Sequence, residues 1–230
     1  ALDVQVTIVV PETTSEEVRT RIAANGANVL VHGAVFDEAN AHAIALAAER
    51  RAAYVHPYDH PLLWKGHATL IDEVVKTGAA FDCVITSVGG GGLLAGIVEG
   101  LRRNGLHEIP VIAVETEGAA SLHAAVTAKE LVTLPAITSI ANSLGARQVA
   151  QHVFDLLATH PIESVTVTDA QAVAACLKFA DAQRLLVEPA CGAALAVADV
   201  NANLLSRFKA PLIEVCGGIG VSLAMLAAWR

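Results

Sequence analysis

Short runs of β-branched and apolar residues alternate along the chain with longer segments in which apolar residues recur every three or four positions. The short runs are typical of strands, and the first two are Val4–Val10 and Asn28–His32. The longer segments predict helices, the first from Glu16 to the Asn25-Gly26 stop and the second over Asp37–Arg51. Strands that alternate with helices favour parallel pairing through right-handed crossovers.

The same alternation continues to the end of the chain. The other predicted strands are Ala53–Val55, Phe81–Val88, Pro110–Glu115, Val165–Val167 and Leu212–Cys216. The other predicted helices are Leu62–Gly78, Leu93–Asn104, Ser121–Lys129, Asn142–Ala158, Asp169–Gln183, Pro189–Val200 and a last helix after Gly218. The pattern therefore predicts an α/β protein with an open, twisted, mostly parallel sheet flanked by helices. The regular alternation of strands and helices is interrupted near Arg51–Pro57, which predicts two subdomains, residues 1–52 and 53–230.

Composition and charge narrow the class of protein. Of 230 residues, 54% are hydrophobic and only 17% are charged, which excludes a disordered chain. The net charge of −8 gives no basic surface for nucleic acid or anionic lipid. No apolar run is long enough to span a membrane, and no secretory leader is present, so we expect a cytoplasmic protein. The opening ALDVQVTIVVP resembles a helix end that enters a strand, so we also expect the chain to be N-terminally incomplete.

The stretch TSVGGGGLL, Thr86–Leu94, stands between a predicted strand and a predicted helix. Bare backbone N–H groups at a helix N-terminus favour an anion, most often a phosphate. A tight turn that only packs the helix on the strand is the structural alternative, but four glycines exceed what a turn needs. No Lys-Ser/Thr pair follows the glycines, so a nucleoside triphosphate is not expected.

Two phosphate compounds remain open on the residues alone. A dinucleotide would use Gly90-x-Gly92-x-x-Ala95, with Glu115 at the end of the next strand as the ribose carboxylate. Pyridoxal phosphate would need one phosphate loop, a partner for its ring nitrogen and a lysine. Cys216, before the Gly217-Gly218 turn, could supply a neutral thiol to that nitrogen and leave it largely unprotonated.

Five segments carry a resemblance to a known family. They are SVGGGGLLAGIVEGL, VIAVETEGAAS, ITSIANSLGA, LVEPACGAALA and EVCGGIGVSL, in that order. Together they resemble the serine dehydratase (L-serine ammonia-lyase) family, which are pyridoxal-phosphate enzymes of the tryptophan-synthase β-like fold. The resemblance covers nearly the whole chain and implies that fold, a homodimer and an amino-acid substrate.

The resemblance also implies particular site residues. Gly89, Gly90, Gly91, Gly92 and Leu93 would bind the cofactor phosphate, and Cys216 would face the pyridine nitrogen. A monovalent cation, K⁺, would bind the Glu115 carboxylate and oxygens of Gly89, Ala119, Ser121, Leu144 and Ala146.

The catalytic lysine of the family belongs to an S-F-K-x-R-G motif that this sequence lacks, and we expect it upstream of Ala1. Lys65 is the other candidate, but it lies on a predicted helix, where a solvated lysine is the ordinary case. The implied reaction converts L-serine, and also L-threonine, to pyruvate or 2-oxobutanoate and ammonia, and this chain alone is expected to be inactive. The alternatives are a non-catalytic cofactor- or partner-binding remnant and an NAD-dependent dehydrogenase.

Overall fold

The structure is a computed structural model that describes residues 4–218 and 220–229. The chain divides into two compact units, Ala1–His56 and Pro57–Arg230. The sequence places this boundary between residues 52 and 53. Its division into a small subdomain and a cofactor-binding subdomain stays a prediction.

The first unit contains a two-stranded parallel sheet and two helices. In chain order these are β1 (Thr7–Val10), α1 (Glu16–Ala24), β2 (Asn28–Val31) and α2 (Phe36–Arg50). Ser15 begins α1 because its hydroxyl accepts the Val18 N–H. The strand predicted at Ala53–Val55 is wrong, since these residues form no strand. The Tyr54 hydroxyl instead donates to the Asn40 side chain on α2.

The second unit is built on a four-stranded sheet in which all strands are parallel. Its strands are β3 (Cys83–Ser87), β4 (Val111–Thr116), β5 (Ile162–Val167) and β6 (Pro211–Ile213), in the order β5-β4-β3-β6. Its helices are α3 (Pro61–Lys76), α4 (Gly92–Arg103), α5 (Ser121–Ala128), α6 (Gln151–Leu156), α7 (Asp169–Gln183), α8 (Pro189–Val200), α9 (Ala202–Leu205) and α10 (Leu223–Ala228). The predicted α/β architecture with a parallel sheet is confirmed.

Helices cover both faces of this sheet, so β3 and β4 are buried along their whole length. Val84 and Val111 pack on one face with α3, α4 and α6. Their neighbours Ile85 and Ile112 pack on the other face with α7 and α8. Alternate residues thus enter opposite cores, which explains why these strands are continuous apolar runs. Within residues 4–218 and 220–229, no helix combines the length and the apolar character needed to cross a membrane.

Two predicted elements differ in extent from those observed. The helix expected over Asn142–Ala158 is a 3₁₀ turn, Asn142–Leu144, followed by a loop and the short α6. Backbone groups of this loop form hydrogen bonds with residues outside the predicted helix. Arg147 O accepts the Leu134 N–H, and the Ala150 N–H donates to Gly90 O. The last strand ends at Ile213 rather than Cys216, which frees the following residues to form a turn.

Candidate functional site

Three turns meet at the carboxyl edge of the larger sheet. Register pairs Ile85 of β3 with Ile213 of β6, and Ser87 of β3 with Val114 of β4. Because β3 lies between β4 and β6, the glycine loop after β3 lies between the end of β4, which carries Glu115, and the turn that carries Cys216. Ligands of open α/β sheets bind at this edge.

The glycines let other parts of the second unit approach the loop closely. A Cβ on Gly89 would lie 3.0 Å from the Leu144 Cα, and one on Gly91 would lie 2.6 Å from a methyl group of Val153. A Cβ on Gly90 would overlap the Tyr58 ring. Gly91 also has a φ of 93°, which side chains rarely tolerate. Packing therefore demands these glycines, as the structural alternative anticipated, although it does not account for the backbone N–H groups.

Those N–H groups have no hydrogen-bond acceptor in the part of the protein that the structure describes. Among the described residues, the N–H groups of Gly89 to Leu93 donate to no protein acceptor within hydrogen-bonding distance. The residue that precedes α4 is Gly91, which has no side chain to cap the helix. A row of open N–H groups and the positive end of the helix dipole therefore coincide, which is the arrangement that binds phosphate.

Glu115 is fully buried near the end of β4, and its carboxyl caps α5. Its Oε1 accepts the Leu122 N–H at 2.8 Å, and its Oε2 accepts the His123 N–H at 2.7 Å. Burial raises the pKa of Glu115 to about 7, although backbone hydrogen bonds from Leu122, His123 and Ser121 oppose that rise. A carboxylate so enclosed is not exposed to a ribose, which removes the main support for the dinucleotide interpretation.

Four of the predicted cation ligands lie at or after the ends of β3 and β4, namely Gly89, Glu115, Ala119 and Ser121, whereas Leu144 and Ala146 lie in and after the 3₁₀ turn that precedes α6. Gly89 lies against Leu144, and Glu115 lies against the start of α5, where Ser121 stands. The Ser121 Oγ is buried and has no hydrogen-bond partner among the described residues. Such an oxygen suits a cation. No group of three His, Cys, Asp or Glu side chains in the described part of the chain could hold a metal ion, so zinc-type sites find no support there.

Cys216 lies beyond the end of β6, is exposed, and neighbours a second thiol. The Sγ of buried Cys191, on α8, contacts both Gly217 O at 3.0 Å and Gly217 N at 3.1 Å. The pKa of Cys216 is raised, first by its hydrogen bond to Cys191, then by desolvation and by the nearby Glu214 carboxyl. The thiol thus stays neutral at physiological pH. Sequence reasoning did not single out Glu214, although a charge within LIEVC was a visible signal.

All five lysines of the chain are exposed, namely Lys65, Lys76, Lys129, Lys178 and Lys209. Lys178 forms an ion pair with Asp199 across the α7–α8 surface. Lys65 lies on α3 as predicted. The structure therefore brings no lysine of this chain into a buried environment.

Comparison with known proteins identifies the family. Residues 1–217 match the family of pyridoxal-phosphate-dependent enzymes. The chain belongs to this family. It is 45% identical to human L-serine dehydratase/L-threonine deaminase over 239 aligned residues, which cover all of this chain and 73% of the human protein. It is 42% identical to L-serine dehydratase of Dictyostelium discoideum, with 98% of this chain and 68% of that protein covered.

Solved structures of the pyridoxal-phosphate family have the same fold. A fungal L-serine ammonia-lyase from Rhizomucor miehei superposes with a TM-score of 0.90 and 35% identity, over 99% of this chain and 74% of that one. Threonine deaminase isoform 2 from Solanum lycopersicum superposes with a TM-score of 0.86 and 25% identity, over 98% and 66%. The predicted family and the tryptophan-synthase β-like fold are therefore confirmed.

The residues present fit the family cofactor. Pyridoxal phosphate has one phosphate dianion, which matches the open N–H groups of the glycine loop. Its ring nitrogen needs a partner, and Cys216 follows the neighbouring strand with a neutral thiol. The assignment of individual ligands stays a prediction.

Proposed function

We infer that this protein acts as a pyridoxal-phosphate-dependent L-serine ammonia-lyase, which converts L-serine to pyruvate and ammonia. L-threonine, converted to 2-oxobutanoate, is the expected second substrate. The row of open N–H groups from Gly89 to Leu93 carries the inference, because it fits a phosphate monoester. The relatives named as L-serine dehydratases supply the reaction.

The chain's own residues would act mainly by holding the cofactor in place. The five N–H groups and the α4 dipole would bind the phosphate, and the tight contacts of Gly89 and Gly91 would keep those groups rigid. The Cys216 thiol would donate a weak hydrogen bond to the ring nitrogen and leave it unprotonated. Bound pyridoxal phosphate supplies an electron sink for charge that develops at the substrate α-carbon. The catalytic lysine of the family stays a prediction, because none of the five lysines of this chain is buried.

K⁺ is the proposed second ligand. The buried Ser121 hydroxyl, which has no partner within residues 4–218 and 220–229, supports it, together with the Glu115 carboxylate and the oxygens of Gly89, Ala119, Leu144 and Ala146. A cation there would brace the turn after β4 against the 3₁₀ turn at Asn142–Leu144. Homodimer formation and a cytoplasmic location complete the proposal and come from the family resemblance and the sequence.

Titration of the purified chain with pyridoxal phosphate tests the phosphate assignment. We expect a saturable change in the visible spectrum, and binding at least tenfold weaker for pyridoxal, which lacks the phosphate. Borohydride reduction followed by peptide mapping should find no specific adduct on Lys65. An adduct there, or tight binding of a nicotinamide dinucleotide without any response to pyridoxal phosphate, would contradict the proposal.

Cofactor binding without catalysis is the second candidate, and the exposure of all five lysines favours it for this chain alone. Pyruvate formation from L-serine distinguishes the two. The chain should bind pyridoxal phosphate in either case. Pyruvate above the rate given by free pyridoxal phosphate would establish the lyase.

A further inference from the structure

Tyr58 lies against two glycines of the glycine loop. A Cβ on Gly90 would overlap the Cγ and Cδ atoms of the Tyr58 ring. A Cβ on Gly92 would lie 2.6 Å from the Tyr58 carbonyl oxygen and 2.9 Å from its Cα. The ring of Tyr58 therefore confines the middle of the loop, and its backbone confines the first residue of α4. Both glycines belong to the row of open N–H groups, so Tyr58 limits the directions in which those groups can point.

Trp64, on α3, holds Tyr58 through a hydrogen bond. The indole Nε1–H donates to Tyr58 O at 2.9 Å. That oxygen lies beside Gly92, at the positive end of the α4 dipole, where a backbone carbonyl is a natural acceptor for the first N–H groups of a helix. The bond to the indole thus engages an oxygen that could otherwise move toward the loop N–H groups and compete with a ligand.

The start of α6 supports the same loop and is joined to Trp64. The Ala150 N–H donates to Gly90 O at 3.1 Å, so the segment that leads into α6 holds the loop directly. The ring of His152, two residues later, stacks on Trp64 with the centroids 4.1 Å apart and the planes 12° apart. The stack therefore connects the two elements that hold the glycine loop.

We propose that Tyr58 and Trp64 are positioning residues for phosphate recognition. Tyr58 keeps the N–H groups of the glycine loop directed toward the ligand, and the Trp64 N–H keeps the Tyr58 carbonyl from capping them. The inference deepens the proposed function and rests on it for the identity of the ligand. These contacts lie at the phosphate loop, so the ratio of the affinities for pyridoxal phosphate and pyridoxal is the quantity that should change.

Spectral titrations with pyridoxal phosphate and with pyridoxal measure that ratio. Tyr58→Ala removes the ring and opens space beside Gly90, which lets the loop relax, so the ratio should fall on the order of tenfold. Tyr58→Phe keeps the ring carbons that meet Gly90 and should retain the wild-type ratio.

Trp64→Phe tests the hydrogen bond separately, because it keeps an aromatic ring and removes the N–H donor. We expect the ratio to fall about fivefold, which corresponds to the loss of one hydrogen bond. Trp229→Phe is the matched control, since it makes the same change beyond the end of α10, and it should leave the ratio unchanged.

A role in stability alone would give a different result. In that case the folded variants would lose affinity for both compounds alike, and a wild-type ratio in Tyr58→Ala and Trp64→Phe would overturn the inference. If Tyr58→Ala does not fold, an unchanged ratio in Trp64→Phe overturns it. A wild-type ratio near one would reject the proposed phosphate site and this inference together. A high wild-type ratio that neither variant lowers would reject the inference and retain the proposed function.

Discussion

The helices that follow β3 and β4 differ in whether the backbone N–H groups at their N-termini have an acceptor in the protein. After β3, the chain enters α4 through glycines that leave the N–H groups of Gly89 to Leu93 open. After β4, the buried Glu115 carboxylate accepts two N–H groups at the start of α5. Both helix ends carry partial positive charge. The N–H groups at the start of α5 are satisfied by the Glu115 carboxyl. Those of the glycine loop have no acceptor among the described residues and are available to a ligand.

The difference shows that a helix N-terminus can bind an external anion only where the protein leaves the backbone N–H groups without an acceptor of its own. The glycine turn is held rigid from the side on which a Cβ would point, by Tyr58, Val153 and Leu144. Rigid packing on that side prevents the open N–H groups from relaxing toward protein acceptors. We therefore expect substitutions in the two turns to have different effects on binding and on stability.

The largest effect should follow Gly91→Val. The new side chain would meet Val153 and would be forced into a left-handed conformation, at a cost of about 3 kcal/mol or more. Distortion of the loop should reduce pyridoxal phosphate affinity at least 100-fold in a spectral titration. Gly90→Val, which would collide with Tyr58, should behave alike.

Gly66→Ala is the matched control for these two changes, because open space surrounds the Cβ position and α3 favours alanine. It should retain wild-type affinity and equal or greater stability in urea. Cofactor content that is unchanged in Gly90→Val or Gly91→Val would refute the loop assignment.

Glu115→Gln should affect stability more than cofactor affinity. The amide keeps one oxygen acceptor but turns its NH₂ group toward a backbone N–H, which leaves a buried donor unsatisfied. Because burial disfavours the ionised carboxyl, the uncharged amide also removes part of that cost, so the loss in the free energy of unfolding should stay below about 2 kcal/mol. Urea unfolding without ligand measures it, with Glu117→Gln, an exposed neighbour, as the control. If Glu115→Gln lowered the pyridoxal phosphate affinity as far as Gly91→Val, Glu115 would contribute to cofactor binding as much as the glycine loop, and the proposed difference between the two turns would be wrong.

The sequence predicted most of this arrangement but not its polar interior. Strand order along the chain and the glycine turn followed from apolar runs and glycine punctuation, which are local signals. The break in the helix predicted at Asn142–Ala158 could not be predicted from such local signals. There the Ala150 N–H donates to Gly90 O, a contact between residues far apart in sequence. Glu115 was predicted as a ribose or cation ligand, yet its bonds to the α5 backbone depend on the turn that follows it. Glu214 escaped notice for the same reason, since its partner Thr86 lies on another strand.

Ser121→Ala should have a smaller effect whose sign depends on the cation. Without K⁺, removal of a buried hydroxyl that has no partner among the residues the structure describes should be neutral or stabilising by up to about 1 kcal/mol. With K⁺, wild type should gain thermal stability over the same concentration of Na⁺, and the variant should lose that gain. Thermal unfolding in the two salts provides the measurement. Equal K⁺ stabilisation of both proteins would remove Ser121 from the cation site.

The smallest effect should come from His160, at the opposite edge of the sheet from both turns. It precedes β5, is 5% exposed, and its Nε2 has no hydrogen-bond partner among the described residues. Burial lowers its pKa below the ordinary value of 6.5, and the nearby Arg102 charge acts in the same direction. The folded state therefore binds fewer protons than the unfolded state, so stability should be lost as pH falls below 6.5. His160→Asn should flatten that part of the urea-unfolding profile equally with and without pyridoxal phosphate, because the site contacts neither turn. A flattening that occurs only with the cofactor bound would show that this edge of the sheet is coupled to the glycine loop. The different behaviour of the glycine loop and the Glu115 turn would then not depend on their own contacts alone.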